Sequence, residues 1–167
     1  MEKDVKKWLS KIGEVKKGEF DLSVDEDLSI AIMNLVSLEE HFYFSAMKTE
    51  DQKYLDMLHS VRELRKGLLK RIVKDPKGEE WCISKHLLAG SMRLIEVGTK
   101  ELSKNGPKEA NKFFTSAFSL YSLFFAINLK MIDSKKLKMD EETKKEIGIM
   151  GKFSKVIKEI VDCCKEW

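Results

Sequence analysis

Residues 23–74 read SVDEDLSIAIMNLVSLEEHFYFSAMKTEDQKYLDMLHSVRELRKGLLKRIVK. Positions 28, 32, 35, 39, 42 and 46 of this stretch carry Leu, Ile, Leu, Glu, Phe and Ala, and positions 54, 58, 61, 65, 68 and 72 carry Tyr, Leu, Val, Arg, Leu and Ile. A helix advances by about 100° per residue, so each set lies along one stripe. Ser23-Val24-Asp25-Glu26 reads as a capping box, and Thr49-Glu50-Asp51-Gln52 repeats the grammar. The pattern predicts two amphipathic helices, over 23–48 and 50–74, joined by a tight and therefore antiparallel turn.

Each stripe is interrupted once near its middle. Glu39 sits at the centre of the first apolar face, where a lone carboxylate must protonate or find a cation. Arg65 interrupts the second face in the same way, and Arg62 lies on its edge. Counting back from the turn at Lys48-Thr49 sets Glu39 opposite roughly residue 60, with Arg62 close and Arg65 about one helical turn lower. A buried or half-buried network of Glu39, Arg62 and Arg65 is expected. It can act as a register-fixing ion pair. It can also form a polar pocket that takes an anionic or polar ligand on the arginine fork, with Tyr43, Tyr121 and Asn128 near stripe positions as further lining.

Outward from this hairpin the chain keeps the same character. Val5, Trp8, Leu9, Ile12 and Val15 predict a short lead-in helix over 1–18. Asp75-Pro76-Lys77-Gly78 breaks the helix that ends near 74, and further helices are predicted over 79–103, 108–132 and 140–166, with Asn105-Gly106-Pro107 between the first two. The expectation is a single all-α domain over 1–167, an up-and-down antiparallel bundle of about five long helices plus a short N-terminal helix. Two prolines, 35% charged residues and 43% apolar residues fit an all-helical chain with a core, and argue against sandwiches, barrels and disorder.

Residues 113–129 contain no charge, but the run is short for a membrane span of about 20 residues and includes five Ser, Thr or Asn. It reads as a central bundle helix. Its small face, Thr115, Ser119, Ser122 and Ala126, is a candidate seam for a second copy of the chain.

Cys82 and His86 stand four apart on one helix face and could supply two ligands to a transition metal, Zn or Fe. No second Cys or His pair has comparable spacing, and His59, with Asp56 and Glu63 near it, falls off the apolar stripe. Nothing in the sequence requires a cofactor. Glu39-Glu40-His41 invites comparison with di-iron bundles, yet Glu-x-x-His does not occur. Gly-rich phosphate loops, G-x-S-x-G, CxxC and HExxH are also absent, so the reading leans away from an enzyme.

The net charge of +3 is too small to name a partner, but its distribution is uneven. Arg62, Lys66, Lys70 and Lys74 stand four apart, joined by Arg71 and Lys77, whereas residues 1–50 hold 7 Lys/Arg against 11 Asp/Glu. Like charges at that spacing disfavour a helix slightly, so the row is not there for helix stability. No aromatics are interleaved with it, which makes nucleic acid a weaker expectation than another protein or a second copy. The start, Met1-Glu2-Lys3-Asp4, has no apolar signal region, and three cysteines, two of them adjacent, suit free thiols. A cytoplasmic protein is expected. Two functions stand open: a non-catalytic binding, accessory or scaffold protein, or a ligand- or metal-binding bundle around Glu39, Arg62 and Arg65.

Overall fold

The computed structural model describes residues 22–130. These form four helices, α1 Ser23–Thr49, α2 Gln52–Ile72, α3 Glu80–Asn105 and α4 Pro107–Asn128, with no strand among the described residues. The helices expected over 1–18 and 140–166 lie outside the described residues, as do Cys163 and Cys164. No helix among the described residues is long and apolar enough to cross a membrane.

The α1–α2 turn needs only two residues. Glu50 takes the left-handed conformation, φ 55°, and donates its N–H to the Ala46 carbonyl, while Asp51 caps α2 by accepting from the Lys53 N–H at 3.0 Å. The cap therefore belongs to Asp51 and not to Thr49, whose hydroxyl turns back onto the Ser45 carbonyl. Ser23 likewise is not the cap of α1 but its first residue. Leu22 is buried and its carbonyl accepts from the Glu26 N–H, which extends the i→i+4 ladder one residue earlier. α2 stops at Ile72, short of 74, because Lys74 N–H closes a tight turn onto the Ile72 carbonyl and Asp75 follows at φ 48°. α4 stops at Asn128, short of 132, where Lys130 at φ 53° bonds back to Ile127.

Two antiparallel hairpins result, α1 with α2 and α3 with α4, and α1 also packs on α3. The α3–α4 seam has a seven-residue rhythm: Ser84, Ser91 and Gly98 on one side, Ala110, Ala117 and Phe124 on the other, all buried. Seven residues are close to two turns, so a seven-residue spacing keeps one seam facing its partner. Small side chains there let the backbones approach, and Ser91 donates across to the Ala117 carbonyl at 2.9 Å. Gly98 is covered by an aromatic ring, since a Cβ there would lie 2.5 Å from Cε1 of Phe114 and the ring would have to shift. Gly98→Ala should lower stability by about 1–2 kcal/mol in urea unfolding, because overpacking exceeds the gain in helix propensity. Gly67 on α2 has nothing within 4 Å of such a Cβ, and Gly67→Ala should raise stability by about 0.5–1 kcal/mol. Equal effects at the two sites would contradict this packing.

The core gathers at the end of the bundle away from the α1–α2 and α3–α4 turns, beside the connection from α2 to α3. Ile32 and Met33 of α1, Leu69, Ile72 and Val73 at the end of α2, Leu87 and Leu88 of α3, and Tyr121, Phe124, Phe125 and Ile127 of α4 form one cluster. Ser29 and Tyr121 are hydrogen-bonded within this end at 2.7 Å. Ser29 gives its single proton to the Glu26 carbonyl at 2.6 Å, so Tyr121 must be the donor to Ser29. The uncharged stretch of α4 is thus a core element, and Ser122 and Ala126 of its small face are already buried within this chain.

Candidate anion-binding cleft

Glu39 lies about two turns beyond Ile32 on α1, where the apolar cluster gives way to charge. Only 9% of its side chain is exposed. The two-residue turn sets α2 in register with it, and the carboxylate is divided between two guanidinium groups. Arg65 Nε donates to Oε1 at 2.7 Å and its terminal amino group to Oε2 at 3.4 Å, while Arg62 Nε donates to Oε2 at 2.9 Å. Arg65 is almost fully buried with Glu39, whereas half of the Arg62 side chain is exposed. Burial alone would push the Glu39 carboxyl up. The hydrogen bonds from Arg65 and Arg62, reinforced by their charges, outweigh it and hold the group below the ordinary carboxylate value of 4.5.

A cleft of about 330 Å³ opens beside this network, lined by Glu39, Arg62, Arg65 and Lys66 together with Trp81, Cys82 and Lys85 from the first turns of α3. Four cationic side chains thus meet one carboxylate. Arg65 is spent on Glu39, and Lys66 is held by Glu63 of its own helix, at 2.9 and 3.0 Å. Lys66 correspondingly holds the Glu63 carboxyl low by its hydrogen bond. The Lys85 ammonium and the two terminal amino groups of Arg62 have no acceptor among the described residues. Lys85 is only partly exposed, which makes its lack of a counter-ion more telling than that of a fully solvated lysine. The wall therefore carries positive charge that no carboxylate among the described residues offsets.

Tyr43 and Tyr121 are not part of the cleft. Tyr43 lies four residues beyond Glu39, about 40° further round the wheel, and is 48% exposed. Tyr121 is buried at the other end of the molecule on Ser29, and Asn128 donates to Ser84 Oγ at 3.1 Å and to the Phe124 carbonyl at 2.8 Å. Along the basic edge of α2, Lys70, Arg71 and Lys74 are exposed and make no ion pair among the described residues. Cys82 and His86 are both exposed, and Cys82 is a free thiol on the cleft wall while His86 is not among the lining residues. No group of three or more His, Cys, Asp or Glu among the described residues is placed to hold a metal ion, and none of the described residues joins Cys82 and His86 as a further ligand.

Sequence reasoning missed Trp81 and Lys85 as a pair. They are four apart, with Cys82 between, so the three share the side of α3 that faces the arginines; the spacing was visible, but the helix opposite it was not. Glu40 with Arg93, which ties α1 to α3, was missed for the same reason, as was Glu80 with Lys130 at 2.9 Å. No family model matches the chain, and no curated protein or solved structure is significantly similar to it.

Proposed function

We propose that the protein is a non-catalytic binding module that holds an anionic ligand in the cleft between α2 and α3. The observation that supports this reading is the convergence of Lys85 and the terminal amino groups of Arg62, all unused donors, on a cleft whose one carboxylate among the lining residues is already shared by Arg65 and the Arg62 Nε. A salt bridge serving stability alone needs Glu39 and Arg65; it does not need two further cations and a partly buried lysine beside it. Glu39 fixes the two guanidinium groups in place, which reduces the ordering cost when an anion arrives.

A second reading is favoured by the exposed row of Lys70, Arg71 and Lys74, which continues the cleft's positive charge along α2 and would suit an acidic surface on another protein. The test is calorimetric titration of the full chain with pyrophosphate at low salt, in the wild type, in Lys85→Gln and in Lys70→Gln. Lys85→Gln should weaken binding about tenfold and Lys70→Gln hardly at all. A larger loss in Lys70→Gln would move the site to the outer edge, and no binding to the wild type at millimolar anion would refute the cleft reading.

A further inference from the structure

The cleft has a feature that charge alone does not explain. Trp81, the first large side chain of α3, packs against the core cluster and also lines the cleft. Its indole is thus held by the core rather than by solvent, and it stands one helical turn from Lys85, a separation of about 5–6 Å between side-chain origins. A site for a bare inorganic anion has no use for an aromatic wall. A volume of about 330 Å³ is at the lower end of what small-molecule pockets enclose.

We propose that the cleft takes a small phosphate monoester bearing a planar aromatic ring, the chemistry of a mononucleotide, with the phosphate among Arg62, Lys66 and Lys85 and the ring against Trp81. This inference rests on the anion-binding reading above and narrows it. A phosphate monoester presents three acceptor oxygens and a charge between one and two at neutral pH, which matches the unused donors of Arg62 and Lys85, with Lys66 able to exchange Glu63 for the ligand. An indole fixed on one side by packing offers a stacking surface at little entropic cost. With Arg65 held on Glu39 and the other cations of the cleft assigned to the phosphate, the ring is recognised by its face and not by its edge. Discrimination between different planar bases should therefore be slight.

The experiment is calorimetric titration of the full chain with adenosine 5′-monophosphate, ribose 5-phosphate, adenosine and inorganic phosphate at fixed low salt. The monophosphate should bind about tenfold more tightly than ribose 5-phosphate or inorganic phosphate, and adenosine more weakly than any of them. Trp81→Leu should abolish that preference while leaving ribose 5-phosphate binding unchanged, and Trp81→Phe should retain most of it. Equal affinity for the monophosphate and ribose 5-phosphate would overturn the inference but leave the anion-binding reading standing. Adenosine binding as well as its monophosphate would overturn both, as would failure of all four ligands together with pyrophosphate. Should Trp81→Leu fail to fold, the ligand series on the wild type still decides.

Discussion

Glu39→Ala should lower the stability of the protein by about 3–5 kcal/mol at neutral pH, the loss expected when one partner of a buried ion pair is removed. The reason lies less in the attraction lost than in what remains. Arg65 is almost fully buried, and without Glu39 its guanidinium has no carboxylate to offset the water it gave up. Arg62 suffers little, because half of its side chain already meets solvent. Replacing both buried partners, as in Glu39→Leu with Arg65→Met, should bring stability back to near the wild-type value or above it. The pair would then be a device for register, and the double variant should fold while losing the cleft's anion affinity. The effect carries a pH signature with a definite sign. The folded state holds the Glu39 carboxyl below 4.5, so its contribution is fully present above that pH and is lost as pH falls through the folded value. The stability gap between wild type and Glu39→Ala, followed by urea unfolding, should accordingly shrink as pH is lowered from 6 towards 3. A gap that stays constant would show that the carboxylate is not held by the arginines.

Phe124→Ala should cost a similar amount, about 3–5 kcal/mol, for an unrelated reason. Phe124 is fully buried on the α3–α4 seam, edge-on to Phe125 at a ring separation of 5.2 Å. Truncation removes its apolar contacts and leaves a cavity between helices whose backbones are already close and cannot easily collapse further. No titrating group is involved, so its gap from wild type should not change with pH, in contrast to that of Glu39→Ala. The two variants together separate a core loss from a charge loss of equal size. A Phe124→Ala loss under about 1 kcal/mol would mean that the seam relaxes freely into the space the ring leaves.

What could be read from the chain and what could not divide along a physical line. Two stripes and a two-residue turn are local facts, and together they fix the rotation and height of Glu39 relative to Arg62 and Arg65. Element ends were less legible, because a buried Leu22 and left-handed residues such as Glu50 and Lys130 decide them, and none of these carries a strong signal of its own. Tyr43 and Tyr121 were near stripe positions, but a stripe gives the face and not the neighbour: one is half exposed on α1 and the other lies in the core. Trp81 and Lys85 demanded the one thing that periodicity lacks, the placement of one hairpin against the next. Cys82 and His86 have the spacing of a ligand pair, and among the described residues no third ligand joins them.

The most direct measurement is amide chemical-shift mapping of the full, isotope-labelled chain during titration with pyrophosphate. Saturable shifts concentrated at Arg62, Arg65, Lys66 and residues 81–85, with the Trp81 indole N–H among them, are expected if the cleft is the binding site. Shifts confined to Lys70, Arg71 and Lys74, or a spectrum unchanged at millimolar ligand, would contradict it.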